Sequence, residues 1–333
     1  MVHAWAAMAP GQPLERFEYD AGPLGPEEVE VAVETCGICH SDLSVVNNEW
    51  GISSFPAVPG HEVIGRVAAL GAQAKGLTVG QRVGIGWSAE SCMHCPQCLA
   101  GDGNLCAENV ATIVRHYGGF ADRVRAQWQW VIQLPETLDA RNAGPLLCGG
   151  TTVFAPFHDY DISPTQHVGV VGIGGLGHLA LKFAKAWGCE VTAFTSTDSK
   201  ADEARAFGAH HVVNSRDREA LRSLARALDL LLVTVNVPLD WPSRVGMLAP
   251  RGRMHMVGAV LKPMPVVAMD LISGQRSISG SPTAGPQVMA KMLEFSARHG
   301  IAPQTEHFPM DQVNNALEHL KAGNARYRIV LDA

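Results

Sequence analysis

The sequence predicts a two-domain α/β protein, in which a partly closed β-barrel is joined to a doubly wound parallel sheet. Three observations lead to this prediction. The chain has 333 residues, which is more than a single hydrophobic core usually serves. Short strands with frequent glycines precede residue 150, which is typical of a barrel. Strands alternate with helices after residue 150, which is typical of a parallel sheet with both faces covered.

The elements of the first part are strands separated by turns. Residues 29–34 alternate between apolar and polar side chains, as a half-buried strand does. Segments 63–70 and 80–86 show the same strand character and are punctuated by glycines. The barrel prediction rests on these segments.

The second part combines apolar strands with amphipathic helices. Strands are predicted at 167–172, 190–194, 229–235 and 253–257. Helices are predicted at 176–187 and 200–207, and two amphipathic helices at 287–298 and 311–322 precede a last strand at 327–332. The pattern changes again near residue 284, where these last elements begin.

Composition narrows the class of function. Hydrophobic residues make up 47% and charged residues 17% of the chain, which favours large buried cores. The net charge is −6 without a long run of one sign, which argues against a nucleic-acid groove or a membrane-surface patch. The sequence has neither a leader-like start nor an apolar run of about 18 residues. We therefore expect a soluble, cytoplasmic protein whose partner is a small molecule.

Residues 36–42 carry an unusual density of reactive groups. Cys39, His40, Ser41 and Asp42 place a thiol, an imidazole, a hydroxyl and a carboxyl side by side. Burying such groups unpaired is costly. A zinc ion would make the thiol a ligand, leave the carboxylate a role outside the ligand set and give the hydroxyl a bound group to act on.

Four of the eight cysteines form a local cluster. Cys92, Cys95 and Cys98 are spaced by three, and Cys106 follows across a short loop. Four thiolates complete the coordination of a tetrahedral ion and leave no open position. This lobe, at about 90–108, is therefore predicted to hold a structural zinc. An iron–sulfur cluster is the alternative, because similar spacings bind one.

A second set is dispersed along the chain. Cys39, His61 and Cys148 each lie beside a glycine at the edge of an element, and Glu62 follows the histidine. Two Cys and one His match a catalytic zinc with an open fourth position. Taken singly, His61 also fits a satisfied core or turn histidine, and Cys148 fits a small core residue.

A glycine-rich turn follows the strand at 167–172. Its residues are Gly172, Ile173, Gly174, Gly175, Leu176 and Gly177, which fit G-x-G-x-x-G. Because the turn follows a strand and opens a helix, we predict that it binds a dinucleotide pyrophosphate. A plain β–α turn with incidental glycines is the alternative.

The tip of the next strand bears on the choice of cofactor. An NAD site usually has a carboxylate there, whereas this strand ends in Thr195 and Ser196 with Lys200 one turn later. Hydroxyls and an ammonium suit a 2′-phosphate, so NADP(H) is predicted. Asp198 is a carboxylate close to this tip and argues for NAD instead. We expect it in the loop or at the helix start.

These segments together resemble the zinc-dependent medium-chain alcohol dehydrogenases, and most closely their cinnamyl alcohol dehydrogenase-like branch of NADP-linked aldehyde reductases. The likeness extends from the run at 36–51 to the tail at 326–328. It implies a GroES-like catalytic domain at 1–148 and 284–333, and a Rossmann NADP-binding domain at 149–283. It also implies a homodimer and two zinc ions per chain.

The resemblance also implies a role for each site residue. Cys39, His61 and Cys148 take the catalytic zinc positions, and Glu62 takes the acidic position beside the metal. Asp42 orients the zinc-binding histidine, Ser41 relays the proton to or from the substrate oxygen, and His40 lies near the cofactor pyrophosphate. The remaining positions are the structural-zinc ligands Cys92, Cys95, Cys98 and Cys106, and the 2′-phosphate contacts Thr195, Ser196 and Lys200.

Two departures from the family pattern stand out. Many relatives have a histidine three residues after the relay hydroxyl, where this chain has Ser44, so the outer proton path is expected to run through water or His40. The segment 107–117 is also short, which bears on substrate access or the dimer contact. We place Trp50 and Trp87 in the substrate pocket.

The predicted function is an NADPH-dependent, zinc-dependent reduction of aldehydes to primary alcohols, reversible as an alcohol dehydrogenase. Three alternatives stay open at this point. They are an NAD-dependent alcohol dehydrogenase of the same fold, a reductase of activated carbon–carbon double bonds, and a non-enzymatic NADP-binding protein.

Overall fold

A computed structural model describes residues 1–333 and separates them into two compact units. The first unit contains Met1–Thr151 and Thr283–Ala333, and the second contains Thr152–Pro282. No helix combines the length and the apolar character needed to span a bilayer.

The secondary structure runs in chain order. The first strands are β1 (Val2–Ala7), β2 (Leu14–Tyr19), β3 (Glu28–Ile38), β4 (Val63–Leu70), β5 (Arg82–Ile85), β6 (Ser88–Glu90), β7 (Val110–Ala111), β8 (Arg123–Gln127) and β9 (Val131–Gln133). The helices in this part are α1 (His40–Val46), α2 (Pro96–Leu99), α3 (Ala140–Ala143) and α4 (Gly149–Asp159). Next come β10 (His167–Val171), α5 (Gly177–Trp187), β11 (Glu190–Thr195), α6 (Ala201–Phe207), β12 (His211–Asn214), α7 (Arg218–Ser223), β13 (Leu228–Val233), α8 (Trp241–Gly246), β14 (Leu248–Met256), α9 (Ala268–Ile272) and β15 (Ser277–Gly280). The last elements are α10 (Pro286–His299), β16 (Thr305–Pro309), α11 (Val313–Lys321) and β17 (Arg328–Asp332).

The first unit is built on a seven-stranded sheet. Its order is β16-β17-β3-β4-β5-β9, with β8 also paired to β3, and two small ribbons, β1-β2 and β6-β7, flank it. The alternation at 29–34 is confirmed, because Val29, Val31 and Val33 are buried along β3. Cys36 is fully buried near the end of this strand, and burial raises the pKa of its thiol well above the usual value. It therefore behaves as a core residue.

One edge of this sheet gathers three chain segments. β3 ends at Ile38, where β4 and β17 both begin, because the two pairings are antiparallel. Cys36 pairs with Val63, and Ile38 pairs with Ile329. The residues just after β3, just before β4 and at the start of β17 therefore meet at one place.

The second unit is a six-stranded parallel sheet of order β12-β11-β10-β13-β14-β15. The predicted strands at 167–172, 190–194, 229–235 and 253–257 are confirmed as β10, β11, β13 and β14, although β14 starts earlier, at Leu248. The strand order reverses between β10 and β13. Ligands of such sheets bind at the carboxyl ends of the strands beside that reversal.

Helix α4 was not predicted from the sequence. Its start carries two glycines and two threonines, and Pro156 lies inside it, all poor helix formers. Residues 149–157 are nevertheless buried. Burial of the apolar side chains of this segment overrides its low helix propensity, as tertiary packing often does.

Candidate metal centre and dinucleotide turn

The reactive run at 36–42 folds as a capped helix start. Cys39 is the residue before α1, and its N–H donates to Asp42 Oδ2 at 2.8 Å. A carboxylate three residues into a helix satisfies a backbone donor that would otherwise lack a partner. The side chain of Asp42 therefore fixes the backbone from which the Cys39 thiol projects.

The other oxygen of Asp42 holds the histidine. Its Oδ1 accepts from Gly60 N–H at 2.8 Å and lies 2.9 Å from His61 Nδ1, and both side chains are fully buried. With Nδ1 facing a carboxylate, the ring presents Nε2 as its free ligand atom.

Three ligand atoms meet at this edge. His61 Nε2 lies 3.3 Å from Cys148 Sγ, which lies 3.9 Å from Cys39 Sγ. A tetrahedral zinc with ordinary bond lengths would separate two thiolates by about 3.8 Å and a thiolate from an imidazole nitrogen by about 3.5 Å. Glu62 offers an oxygen within 4.8 Å of the other ligand atoms. The donor set therefore fits a zinc ion.

Glu62 forms a buried ion pair with Arg328. Its Oε1 accepts from Arg328 Nη2, and the two side chains are 0% and 6% exposed. Burial raises the pKa of Glu62 to about 7, against the opposing charge of Arg328. Its Oε2 is enclosed and has no hydrogen-bond partner. A carboxylate oxygen without a hydrogen-bond partner, beside two thiols and an imidazole, is expected where a cation binds.

Protons compete with a metal for these ligands. The hydrogen bond between Cys39 and Cys148 lowers the pKa of Cys39 well below its usual value and raises that of Cys148 well above it. Burial lowers the pKa of His61, but Asp42 raises it, and the result lies well above the usual value. Metal uptake at this site should therefore release protons.

Ser41 and two tryptophans flank the ligands. The Ser41 Oγ lies 3.7 Å from Cys39 Sγ. The Trp87 ring stands edge-on to His61 at 5.1 Å between centroids, and Trp50 stands edge-on to Trp87 at 6.1 Å. Both tryptophans are half-buried, so the ligand set borders an aromatic wall.

Ser44, which stands where many relatives have a relay histidine, is hydrogen-bonded to an acidic side chain. Ser44 is 3% exposed, and its hydroxyl donates to Glu49 Oε2 at 2.8 Å. Asn47 donates to the other oxygen at 3.0 Å. These bonds, with Asn47 first, lower the pKa of Glu49, and His40 adds a smaller effect of the same sign. His40 itself lies exposed at the start of α1.

The four-cysteine lobe is closed on itself. Cys92 Sγ lies 4.0 Å from Cys98 Sγ and 3.5 Å from Cys106 Sγ, and all four sulfurs lie within 4.8 Å of one another. The N–H groups of Cys95 and Cys98 point at the sulfurs three residues earlier, at 3.4 Å each. Four sulfurs gathered this closely form a donor set that fits a zinc ion. His94 is exposed and bonds the Cys92 carbonyl.

The glycine turn has the shape that a phosphate needs. Gly172 has φ +93°, and a Cβ there would lie 2.4 Å from Val235 Cγ1. A Cβ at Gly177 would lie 1.8 Å from the Gly172 carbonyl oxygen, so the start of α5 needs glycine. Around Gly174 no atom lies within 4 Å of such a Cβ. The backbone there is open to a ligand, as a pyrophosphate cradle requires.

The tip of β11 presents hydroxyls and an ammonium. Thr195 Oγ1 bonds the backbone of Thr197, and Ser196 is exposed. Lys200 Nζ donates to the Ile173 carbonyl at 3.1 Å, which puts the ammonium beside the glycine turn. Asp198 accepts from Asn214 at 3.0 Å in a short turn before α6, in the loop as expected.

Sequence reasoning assigned no role to Arg328. The available signal was a charged residue at the head of an otherwise apolar strand, Ile329 to Leu331, at the very end of the chain. Such a residue is either at a strand end in solvent or paired inside, and only the pairing of β17 with β3 decides between the two.

Comparison with known proteins gives the relatives of this chain. Residues 25–136 match the model of the alcohol dehydrogenase GroES-like domain, and residues 175–298 match that of the zinc-binding dehydrogenase. Aldehyde reductase AdhA of Synechocystis sp. is 51% identical over 99% of this chain and 98% of its own length. A probable cinnamyl alcohol dehydrogenase of Arabidopsis thaliana is 37% identical over 98% of this chain and 93% of its own.

Solved structures agree with these matches. A cinnamyl alcohol dehydrogenase from Sorghum bicolor superposes with a TM-score of 0.95 at 37% identity, covering 99% of this chain and 97% of the other. The cinnamyl alcohol dehydrogenase of Helicobacter pylori, complexed with NADP(H), gives 0.91 at 26% identity, with 99% and 97% covered.

Proposed function

This chain belongs to the zinc-dependent medium-chain alcohol dehydrogenase family, and we propose that it is an NADP(H)-dependent aldehyde reductase, reversible as an alcohol dehydrogenase. The family and its alcohol–aldehyde oxidoreduction follow from the family models and the relatives. The NADP(H) preference, two zinc ions per chain and a homodimer are parts of the proposal.

One observation carries the proposal above all. Cys39, His61 and Cys148 converge at ligand distances, with Asp42 fixed on the far nitrogen of the histidine. These three residues would hold a zinc ion and leave one position for a substrate oxygen. Zinc there supplies Lewis-acid polarisation of a carbonyl, and NADPH supplies the hydride.

Asp42 and Arg328 prepare the ligand set. Asp42 keeps the His61 ring in one tautomer and orientation, which is what makes Nε2 a good ligand. Arg328 places a permanent positive charge on Glu62, so this carboxylate can be ionised beside two thiolates despite its burial. Glu62 is thereby held at the metal without its charge being left unpaired.

Ser41 is the proton carrier of the proposal. Its hydroxyl lies beside the Cys39 thiolate position, where it can donate a proton to the oxygen of a reduced substrate. Three residues along the same face of α1, the Ser44 hydroxyl donates a hydrogen bond to Glu49, whose carboxylate is exposed to water and can pass a proton inward to resupply the relay. We propose that this pair replaces the usual imidazole at the outer end of the relay.

The aromatic wall limits water at the reacting end. Trp87 stands nearly perpendicular to His61, and Trp50 is steeply tilted against Trp87, so apolar ring surface covers the side of the ligand set that they flank. Low water content strengthens every electrostatic contact with the developing charge. This wall also favours substrates with flat apolar bodies.

Several features support NADP(H) as the cofactor. The tip of β11 carries Thr195 and Ser196 in place of a carboxylate, and Lys200 supplies a cation. The nearest acid, Asp198, is turned toward Asn214. A structurally similar cinnamyl alcohol dehydrogenase was solved with NADP(H).

The test is a panel of aromatic and aliphatic aldehydes with NADPH and with NADH, run beside metal analysis. We expect two zinc ions per chain and a strong preference for NADPH. Cys39→Ala should abolish turnover and remove one zinc, while Cys189→Ala, a buried cysteine of the second unit, should change neither. A preference for NADH would overturn the cofactor, and activity persisting in Cys39→Ala would favour the reduction of carbon–carbon double bonds.

A further inference from the structure

Gly37 lies where a side chain would collide with Glu62. It is the next-to-last residue of β3 and is buried. A Cβ at this position would lie 2.1 Å from Glu62 Oε2, 3.0 Å from its Cβ and 3.1 Å from its Cδ. Non-bonded carbon atoms attract each other best at about 3.5–4.0 Å, so these separations are all too short. The Glu62 carboxylate therefore occupies the space that a side chain at residue 37 would need.

The backbone on both sides of this contact is fixed. Gly37 N–H donates to the Glu62 carbonyl at 3.0 Å. A third segment packs against the pair, because a Cβ at Gly144 would lie 2.6 Å from the same carbonyl oxygen and 3.3 Å from the Gly37 nitrogen. A methyl group added at Gly37 would therefore displace the Glu62 side chain and not the backbone.

The conformation of Gly37 does not require a glycine. Its φ is not among the positive values found at other glycines of the chain. It pairs with Val330 in the regular antiparallel register of β3 and β17. A residue with a side chain would adopt this extended backbone without strain. The close approach of Glu62 is therefore the feature that calls for glycine here.

The displaced carboxylate would have the metal centre beside it. Glu62 Oε1 accepts from Arg328 Nη2, while Oε2 faces Gly37. One oxygen of this carboxylate also lies within 4.8 Å of the other ligand atoms of the centre. A carboxylate pushed away from Gly37 is thus close to a position where it can bond a zinc ion.

We propose that Gly37 is a positioning residue that lets the Glu62 carboxylate rest beside the metal and keeps the fourth metal position open for the substrate oxygen. The inference rests on the proposed zinc chemistry. Three protein ligands leave one position of a tetrahedral zinc open, and a fourth closes the site. An anionic carboxylate competes strongly for such a position. Whether Glu62 is a neighbour of the metal or a fourth ligand is therefore decided by the space at residue 37.

The experiment uses the full-length protein with cobalt in place of zinc, because the visible spectrum of cobalt depends on its ligands. Imidazole is the probe, since it is a small ligand for an open metal position. The four-cysteine lobe has no open position and adds nothing to the spectral change that imidazole causes. The variants are Gly37→Ala, Glu62→Asp and the double variant. Gly246→Ala is the matched control, because a Cβ there would meet no atom within 4 Å.

We expect the native protein to bind imidazole at cobalt. Gly37→Ala should weaken imidazole about tenfold or more, because the overpacking methyl group drives the carboxylate into the open position. Zinc counted after chelator treatment of the zinc-loaded Gly37→Ala protein should not fall. Glu62→Asp shortens the acid by one methylene, so the double variant should bind imidazole as Glu62→Asp alone does. Gly246→Ala should match the native protein in both measurements.

The outcomes separate this inference from the proposed function. No spectral change with imidazole in the native protein would refute the open metal position, and the proposed function with it. Equal imidazole binding by the native protein and Gly37→Ala would refute the role of Gly37 alone. Loss of zinc from Gly37→Ala would also refute it, because a carboxylate that takes the open position adds a ligand. If Gly37→Ala does not fold, the double variant should fold, and its failure to do so would show that the methyl group collides with something other than the carboxylate and that the inference is wrong.

Discussion

Replacing Asp42 by asparagine should loosen the zinc of the Cys39–His61–Cys148 site and spare the zinc of the four-cysteine lobe. Three donors converge on the carboxylate: the N–H groups of Cys39 and Gly60, and His61 Nδ1, at 2.8, 2.8 and 2.9 Å. An ionised carboxylate accepts at both oxygens, whereas an amide carries two donors of its own on one side. Whichever way the amide of the Asp42→Asn variant is turned, its NH₂ group faces at least one of these donors.

The magnitude follows from which contact fails. If the amide oxygen stays on Gly60 and His61, the Cys39 N–H loses its cap, which costs about 1 kcal/mol of stability. If the amide is flipped, His61 loses the acceptor that orients it, and such a loss typically costs about 10- to 100-fold in metal affinity. Because the side-chain volume is unchanged, no cavity contributes to either effect.

The assay is chelator competition followed by zinc counting on one preparation of Asp42→Asn. One zinc per chain should leave about 10- to 100-fold more readily than in the native protein, with turnover lost in parallel. The zinc of Cys92, Cys95, Cys98 and Cys106 is an internal control, because the side-chain hydrogen bonds of Asp42 go to Cys39, Gly60 and His61 and not to that lobe. If both zinc ions leave as they do in the native protein, Asp42 does not support the ligand set and the reasoning is wrong.

Three further predictions concern other parts of the molecule. Glu49→Gln should lower kcat by up to about 100-fold, because an amide accepts the Ser44 hydrogen bond but cannot take a proton; unchanged kcat and an unchanged solvent isotope effect would exclude this path. Trp87→Ala should raise KM for aromatic aldehydes about tenfold, from the loss of about 1.5 kcal/mol of ring contact, and Trp87→Phe should restore it; an equal rise for short aliphatic aldehydes would count against the aromatic wall. His255 is fully buried between the hydroxyls of Ser279 and Ser281, and burial, aided by Arg253, lowers its pKa from 6.5 to about 4. A depressed histidine pKa means that the unfolded chain takes up the proton first, so the unfolding temperature should fall as the pH drops from about 6.5 to about 4, and His255→Gln should flatten this dependence.

Local patterns accounted for most of the fold. Alternation identified β3 and β4, and apolar runs flanked by helices identified β10, β11, β13 and β14, because these signals lie within a few residues of each other. Helix α4 was not predicted, because its glycines, threonines and proline disfavour a helix in isolation. Its stability comes from burial, which depends on residues far away in the sequence.

The difference between local signals and dependence on distant residues applies to the candidate sites as well. The spacing of Cys92, Cys95 and Cys98 is local and points to a metal by itself, whereas His61 and Cys148 had ordinary explanations when taken singly. The local signal of Arg328, a charge at the head of an apolar strand, was ambiguous. Arg328 matters because β17, from the far end of the chain, places it, shielded from solvent, beside Glu62.

The placement of Arg328 ties the metal centre to the register of the sheet. Cys39 follows β3, His61 and Glu62 precede β4, and Arg328 begins β17, so antiparallel pairing of three strands is what brings them together. A slip of one residue would turn each side chain to the opposite face of the sheet. Such a slip would separate Glu62 from Arg328 and bury both charges unpaired, which costs far more than the lost pairing alone. The ion pair therefore acts against misregistered sheets, and it ties the last strand of the chain to the geometry of the ligand set.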